Sequence, residues 1–539
     1  MTMAAGTGLT LGNTGNPAAI AFPTTFVTAF ITLNVTSTVT YQSTAAQTIS
    51  NAPPSYGNLT AATSGTKTLA GAITVAGNLA ITGTATLASD IYQIIGNAAG
   101  SMTMAAGTGL TLGNTGSAIV VAFPTIFTAI TLNATSTVAY QGNGNQTISG
   151  NPPTYGILTT ATSGIKTLAG NVTVATTLNM TAGNINLNTF TLTLGNGAVA
   201  TLTNGGSKIA YGGTFTRYLL LGTAVSSTVA PLYGLFPMGT STDYRPIEIN
   251  STDNPTGSGY VSAVHTDAAG VTDVAYVDNG GVAIQRITDM KSTLSTSGGF
   301  GGGTYNLDVT FTALVAGVAG NLRMETIAGA PPGVGAHAAT GGTDPTAPIV
   351  KRTGLTAANL ANDFVAGTTN KTATPMRRQD YYSIVTTGNW TTAGTWSETD
   401  GGASCGCTPG TGDNVFITSN NTISLTANTT IVDVTIYPSG GVLNLNDFDL
   451  TINGNLTING TLTNNGTNHL VANGSSNITF GNTGNATLFL DQTTDGTTNR
   501  LGTLILNRTG NTITMGASLQ TATALTLTAG KLAMGANTL

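Results

Sequence analysis

The chain has 539 residues and a net charge of −5, and only 7% of its residues are charged, against roughly 25% in an ordinary soluble domain. It contains no basic run, so nucleic-acid binding, which needs lysine and arginine to neutralise phosphates, is excluded as a function. No apolar run approaches the roughly 20 residues that cross a bilayer, and we predict no membrane-spanning segment in this chain.

The first element along the chain is a sequence that repeats. "MTMAAGTGLTLGNTG" at 1–15 recurs letter for letter at 102–116, and "SGTKTLAG" at 64–71 recurs as "SGIKTLAG" at 163–170. The chain therefore begins as a tandem array with a period near 100 residues. A fixed period of this kind predicts a repeat architecture in which neighbouring units bury a continuous core.

The start of the chain carries no secretory signal. Met1 is equivalent to Met102, which lies inside the second copy. The first residues lack both the basic region and the apolar core of a signal peptide. We therefore expect the chain to be a fragment, truncated at both ends, of a longer secreted protein.

Apolar and polar residues alternate over most of the chain, which is the pattern of half-buried strands. In "LTINGNLTINGTLTNNG" at 450–466, Asn-Gly recurs at 453–454, 459–460 and 465–466. Each Asn-Gly could close an antiparallel hairpin, or it could form a corner between successive faces of a parallel β-solenoid. We favour the solenoid, because hairpin strands of four residues would form a weak meander.

Charge divides the chain into regions. Residues 1–207 contain only Lys67, Asp90 and Lys166 as charged residues, whereas residues 208–413 contain 15 acidic and 11 basic ones. The predicted fold is all-β, with right-handed parallel β-helix or β-solenoid repeats flanking a β-sandwich-like module. The predicted domains are a first solenoid repeat at 1–101, a second at 102–207, the β-sandwich-like module at 208–380, and a capped second solenoid segment at 381–539. Within the module, 331–348 is expected to be a flexible loop.

Several stretches resemble one family. They are "GNVTVATTLNMTAGNINLNTFTLTLGN" (170–196), "GTFTRYLLLGT…YGLFPMGTSTDYRPIEI" (213–249), "YYSIVTTGNWTTAGTWSETDGGASCGCTPGTGDNVFIT" (381–418) and "GVLNLNDFDLTINGNLTINGTL" (441–462). Together they are similar to large, repetitive, secreted surface and adhesin-like proteins of Bacteroidota. The resemblance implies export by the type IX pathway, an outer-surface location, and a role in adhesion or surface coating. The sorting domain typical of that pathway is not visible in this chain.

Asp447 and Asp449 are the carboxylates best suited to catalysis. A β-helical polysaccharide lyase or glycosidase needs paired carboxylates, and these two are expected on one face of a strand. However, "LNLNDFDLTI" aligns with "INLNTFTLTL", which places Thr189 and Thr191 opposite them. Positions that accept threonine are outward-facing surface. We therefore predict no catalytic site in the chain.

The middle region has a denser set of ionisable residues: Asp243, Arg245, Glu248, Asp253, His265, Asp267, Asp273 and Asp278. We interpret them as the solvated rim of a β-sandwich. Calcium binding by some of Asp267, Asp273 and Asp278 is the alternative, because hard cations bind clustered carboxylates. No other cofactor is predicted. None of the three histidines, His265, His337 and His469, has a partner at metal-ligand spacing.

The predicted cap contains both cysteines and both tryptophans. Cys405 and Cys407 are too few for a four-ligand metal site, and a disulfide between residues two apart would be strained. We expect a role confined to their turn, with the oxidation state left open. Trp390 and Trp396 could stack on sugars, but we favour the sealing of the solenoid end.

The sequence thus predicts a non-enzymatic, extracellular structural or adhesin protein. Such a cell-surface stalk would make multivalent contacts with polysaccharides, other surfaces or neighbouring cells. One alternative is an ice- or crystal-binding solenoid, suggested by Thr-x-Thr pieces. That function requires the threonines to stack in register, and their unequal spacing in the sequence argues against it. A β-helical polysaccharide-active enzyme is the third possibility.

Overall fold

The structure is a computed structural model. It describes all residues except 16, 24, 27, 204–206, 269–270, 313, 315–317, 328–333, 342–346, 372, 375, 377–379, 411–412, 459–469, 473, 482–485 and 491–499. The chain is 49% strand and 3% helix and forms a β-solenoid of about 20 turns. The predicted all-β solenoid fold is therefore confirmed.

The chain divides into two compact units, Met1–Met376 and Arg377–Leu539. The predicted boundary at 207 lies within the first unit, and the one at 380 lies close to the junction of the two. The strands that build the solenoid part of the first unit are β1 (Thr2–Met3), β2 (Gly8–Leu11), β3 (Thr32–Leu33), β4 (Thr38–Tyr41), β5 (Gln47–Ile49), β6 (Asn58–Ala61), β7 (Thr66–Leu69), β8 (Ile73–Thr74), β9 (Leu79–Ile81), β10 (Thr86–Ala88), β11 (Ile94–Ile95), β12 (Ser101–Met104), β13 (Gly109–Leu112), β14 (Ala129–Leu132), β15 (Thr137–Tyr140), β16 (Gln146–Ile148), β17 (Thr154–Thr160), β18 (Lys166–Leu168), β19 (Val172–Met180), β20 (Ile185–Asn186), β21 (Thr191–Leu194), β22 (Thr201–Thr203), β23 (Ala210–Tyr211) and β24 (Thr214–Leu219).

These strands form long parallel sheets along the solenoid. Face 1 consists of β2, β4, β6, β9, β12 and β14, and face 2 of β5, β7, β10, β13, β15, β17, β19 and β22. Shorter parallel sheets join β8 to β11 and β16 to β18, β20 and β23. Consecutive strands from β1 to β21 belong to different sheets, because the chain turns a corner after each of them.

Alternation along each strand determines what is buried. Val39, Leu59 and Leu79 align in register on face 1 and are fully buried. Burial of one such side chain contributes about 1.5–3 kcal/mol. The neighbouring positions of these strands point outward and are threonine, asparagine or alanine, so this part of face 1 has an apolar inner side and an uncharged outer side.

The two sequence copies occupy different faces. Four successive pairings lead from Leu9 through Val39, Leu59 and Leu79 to Met102. Met102 is eight residues short of Leu110, the sequence equivalent of Leu9 (110 − 102 = 8). The repeat therefore spans four turns plus one further face, so β2 lies on face 1 whereas its copy β13 lies on face 2.

The middle of the chain contains two antiparallel sheets. Its strands are β25 (Leu235–Phe236), β26 (Ile247–Asp253), β27 (Gly259–Thr266), β28 (Val271–Asp278), β29 (Val282–Ser297), β30 (Thr304–Thr310), β31 (Leu322–Thr326), β32 (Ala336–Gly341), β33 (Ile349–Thr356) and β34 (Asp363–Thr368). Along the whole chain, short helices lie at Thr28–Phe30, Ala319–Asn321, Ala357–Leu360 (α1) and Ala393–Thr395. One sheet has the order β31-β34-β29-β27-β24 and the other β25-β26-β30-β33-β32.

The two antiparallel sheets pack as a sandwich that continues the solenoid. Phe215 of β24 meets Phe236 of β25 edge-on, with ring centroids 6.1 Å apart. Strand β24 pairs parallel with β21 and antiparallel with β27, so it joins the solenoid to the sandwich. The predicted flexible loop at 331–348 is partly wrong, because β32 pairs with β33 there; residues 331–333 and 342–346 lie outside the described residues.

The second unit is again a parallel solenoid. Its strands are β35 (Asp380–Ser383), β36 (Thr387–Asn389), β37 (Trp396–Ser397), β38 (Asn414–Ile417), β39 (Thr422–Ser424), β40 (Thr429–Ile431), β41 (Val434–Ile436), β42 (Val442–Asn444), β43 (Leu450–Ile452), β44 (Leu456–Ile458), β45 (Leu470–Val471), β46 (Ile478–Gly481), β47 (Ala486–Leu488), β48 (Leu501–Met515) and β49 (Thr521–Ala533). Asn453–Gly454 is a corner, since β43 pairs with β40 and β46, and β44 with β41 and β47. The other two Asn-Gly pairs lie outside the described residues.

Candidate functional site

Face 1 presents a column of threonines. In register from strand to strand, its outward residues are Thr10, Thr40, Thr60, Ala80, Thr103 and Thr131. Neighbouring strands lie roughly 4.8 Å apart, so the hydroxyl groups repeat at that interval along the solenoid. All of these side chains are partly or fully exposed, so the column is open to ligands.

Face 2 carries two such columns. One consists of Thr48, Thr68, Ala88, Thr111, Ala139, Thr159, Asn179 and Thr203, and the other of Thr66, Thr86, Gly109, Thr137, Ile157, Thr177 and Thr201. The unequal spacing of threonines in the sequence, which by itself argues against stacking, therefore does not prevent it. Loops of different length absorb the spacing, and the parallel hydrogen bonds hold the strands in register.

Two adjoining shallow grooves cross face 2. One has a volume of about 350 Å³ and is lined by residues that include Thr86, Thr137 and Thr159. The other has a volume of about 300 Å³ and is lined by Thr68, Asp90, Asn114 and other residues. Thr111 and Gln141 line both grooves, which are therefore continuous. Hydroxyl and amide groups alternate with apolar groups on this surface, so it can donate and accept hydrogen bonds but offers no charge except at one edge.

That edge is formed by Asp90, the one acidic residue among residues 1–207. Its backbone is in the left-handed region, with φ of 54°, and it bridges to Gly113 of the next coil. Its carboxylate accepts a hydrogen bond of 2.5 Å from the Asn114 side chain. The aspartate thus holds the corner between two coils, and sequence reasoning gave it no role.

Lys67 and Lys166 lie inside the solenoid, contrary to what their charge suggests. Both are fully buried at equivalent positions of the two copies. The Lys67 ammonium donates to the backbone carbonyls of Ser43, Ala45 and Ser64 at 2.6–2.9 Å. Burial lowers the pKa of Lys67, and it lowers that of Lys166 to about 8. These lysines satisfy corner carbonyls that would otherwise be buried without donors.

The pair Asp447 and Asp449 does not share a strand face, so this expectation was wrong. Asp447 is exposed in a left-handed turn with φ of 71°, matching Thr189 at φ of 70°. Asp449 lies before β43 and accepts hydrogen bonds from the side chains of Asn428 and Asn477 at 3.3 and 2.8 Å. Asp447 thus matches Thr189 in backbone conformation as well as in the sequence alignment.

The acidic residues of the middle region are divided among separate cations. Arg245 contacts Asp243 and Asp267, at 3.1 and 2.5 Å. Arg286 and Lys371 each approach Asp273 at 2.6 Å. Among the described residues, no group of three or more histidine, cysteine, aspartate or glutamate side chains is arranged to hold a metal.

Asp278 belongs to a buried charged cluster, so its interpretation as part of a solvated rim was wrong. Its fully buried carboxylate lies 3.0 Å from Arg323 and 2.9 Å from Arg352. Glu325 is also fully buried, 4.0 Å from Arg352, and neither of its carboxylate oxygens has a hydrogen-bond partner among the described residues. Burial, reinforced by the charge of Asp278, raises the pKa of Glu325 to about 8.

Two histidines have non-metal surroundings. Nε2 of His265 lies 3.0 Å from the Arg245 guanidinium, and burial together with that charge lowers the pKa of His265 to about 4. The imidazole is therefore neutral near pH 7 and accepts a hydrogen bond from Arg245. His337 lies on β32, and burial lowers its pKa. His469 lies outside the described residues.

The cap residues pack as one cluster. Trp396 donates its indole N–H to the Trp390 carbonyl at 2.7 Å, and the two buried rings meet edge-on. Their burial agrees with the sealing role. Cys405 and Cys407 form a disulfide with a Cα–Cα distance of 5.1 Å, within the range that such bonds adopt. Sequence reasoning disfavoured this bond, but Gly406, at φ of 64°, lets the chain turn tightly between the two cysteines.

Among the residues that the structure describes, no helix is long and apolar enough to cross a membrane. Comparisons of the chain with protein-family models, curated proteins and solved structures found no match.

Proposed function

We propose that this chain is a non-enzymatic, extracellular structural or adhesin protein that attaches to glycans or other hydroxyl-rich surfaces by many weak contacts. The observation that carries the proposal is the register of the threonine columns on faces 1 and 2. A column repeats a threonine hydroxyl at most of its coils, so an extended ligand meets several equivalent contacts. Linked weak contacts raise the effective concentration of each next contact and produce firm attachment.

Charge supports the same function. The outward residues of these columns are uncharged, so long-range electrostatic steering does not contribute to binding. Attachment should therefore change little between low and molar salt. The resemblance to secreted surface proteins of Bacteroidota supports an outer-surface location, and the cells, polysaccharides or materials bound there are the proposed partners.

The test uses full-length variants in which outward threonines become valine, which keeps the shape and strand preference but removes the hydroxyl. One variant changes Thr40, Thr60, Thr103 and Thr131 of face 1, and a matched control changes the same residues to serine. We expect the valine variant to lose attachment to polysaccharide-coated beads and whole cells while the serine variant retains it. Unchanged attachment of the valine variant, or attachment abolished by salt, would contradict the proposal.

A second candidate function is binding to ice or another crystal. The in-register columns favour it, because a regular lattice of hydroxyl groups can match the repeat of a crystal face. The same valine and serine variants test it in an ice-recrystallisation assay. Inhibition of crystal growth by the unmodified chain and its loss in the valine variant would favour this function over adhesion.

A further inference from the structure

The second unit also has a column of outward residues in register, and aromatic side chains occupy its first two coils. In register along this column, Phe416 aligns with Thr435, and Thr435 aligns with Thr457. On its other side Phe416 aligns with Tyr382 of β35. Threonine is thus sufficient at this position to build a coil, and the first two coils have aromatic residues instead. Core packing does not require them, because they point outward.

Three aromatic rings form one patch. Those of Tyr382 and Phe416 are stacked, with centroids 4.6 Å apart and planes 13° from parallel. Tyr437, on the next coil, meets Phe416 edge-on at 6.5 Å. All three side chains are partly exposed. Trp390 and Trp396 of the same cap are buried, so these three rings form a surface and not a core.

Polar groups lie beside the rings. The Tyr437 hydroxyl donates to the Asp400 carboxylate at 3.2 Å, and Asp400 comes from the turn after β37. Burial raises the pKa of both Tyr382 and Tyr437, and negative charge reinforces the shift, from Asp380 and Asp400 at Tyr382 and from Asp400 at Tyr437. Asn414, two residues before Phe416, donates its amide to Asp380 at 2.8 Å. The rings are therefore bordered by carboxylate and phenol groups that accept hydrogen bonds.

This combination fits a sugar. The face of an aromatic ring carries partial negative charge and attracts the slightly positive C–H groups on the apolar face of a pyranose. Carboxylate oxygens at the border would accept hydrogen bonds from the sugar hydroxyls. We propose that Tyr382, Phe416 and Tyr437 form a binding platform for a neutral glycan, with Asp400 as the hydroxyl acceptor. The proposal rests on the proposed adhesive function and names one site and ligand class for it.

The first measurement is saturation-transfer NMR with the full chain. The probes are β-1,4-linked hexasaccharides of glucose, xylose, mannose and N-acetylglucosamine. We expect transfer to at least one of them, with little change between low and molar salt. In Phe416→Thr, which introduces the residue of the next coil, affinity should fall about tenfold, the effect of losing one aromatic contact. In the control Tyr218→Thr, which alters a partly exposed aromatic pair of the first unit, affinity should not change.

Asp400→Asn distinguishes a sugar from a cationic ligand such as choline. It removes the charge but keeps a hydrogen-bond acceptor, so sugar binding should weaken only a few-fold, whereas binding of a cation would be lost. Far-UV circular dichroism and thermal unfolding establish that each variant is folded. Failure of all the hexasaccharides to bind, competition by choline, or equal losses in Phe416→Thr and Tyr218→Thr would overturn the platform. Failure of the unmodified chain to attach to polysaccharide-coated beads or whole cells, with hexasaccharide binding intact, would instead refute only the adhesive function.

Discussion

Replacement of Glu325 by glutamine should make the sandwich more stable, and increasingly so as pH rises. The side chain is fully buried on β31, and its nearest cation, Arg352, is 4.0 Å away. That arginine already donates to the carbonyls of Met324 and Val334, at 2.7 and 2.6 Å, and faces Asp278. Glu325→Gln keeps the shape of the side chain and removes the charge that burial disfavours.

The magnitude follows from the two pKa values of Glu325. An unfolded chain ionises this group near the ordinary value of 4.5, whereas the folded protein retains the proton until about pH 8. The stability that Glu325 contributes is therefore fully present below pH 4.5 and is lost as pH rises through 8. At about 1.36 kcal/mol per pKa unit, the loss reaches about 3 kcal/mol at pH 7 and about 5 kcal/mol above pH 8.

Hydrogen–deuterium exchange measured by mass spectrometry is the assay, because a chain with two compact units does not unfold in one step. Peptides that cover β31 and β34 report the local free energy of opening. The variant should match the wild type near pH 4 and exchange more slowly than the wild type at pH 8. Glu398→Gln, at an exposed position of the second unit, is the matched control and should have no effect. Faster exchange of the Glu325→Gln variant at pH 8 would mean that the ionised carboxylate is stabilised by Arg352, and would refute the reasoning.

Three further predictions concern Lys166, Asp447 and the Cys405–Cys407 disulfide. Lys166→Met should destabilise the first unit by about 1–3 kcal/mol, because the carbonyls of Gly142, Gly144 and Ser163 lose their donor; a thermal-unfolding midpoint equal to that of the wild type would contradict this. Asp447→Asn should change stability by less than about 0.5 kcal/mol, since asparagine also tolerates the left-handed turn, and a larger loss in the same assay would mean that the carboxylate makes a contact of its own. The Cys405–Cys407 disulfide closes no large loop, so its reduction should lower the stability of the second unit by less than about 2 kcal/mol. Unfolding of the second unit on adding a thiol reductant would instead show that the cap depends on the disulfide.

The sequence by itself determined the kind of structure. Alternation of apolar and small polar residues specified strands with one buried face, as at Val39 and Leu59, which are fully buried. Scarcity of charge and abundance of asparagine and glycine specified corners in place of helices. The equivalence of Asp447 to Thr189 could also be read from the sequence, because two copies of one pattern in one chain adopt the same local backbone.

Tertiary structure alone decided how these strands align. Successive turns of the first unit differ in length, with Leu9 paired to Val39 but Val39 to Leu59, so the spacing of threonines along the chain does not reveal their register. The burial of charged residues could not be predicted from the sequence either. Glu325 occupies a position that alternation predicts to be exposed, yet strand β33 covers it through Arg352. Lys67 looks like a surface charge, but three corner carbonyls from two segments, residues 43–45 and Ser64, meet around its ammonium group. In each case the deciding contact comes from a coil or strand distant in sequence, and local pattern contains no information about it.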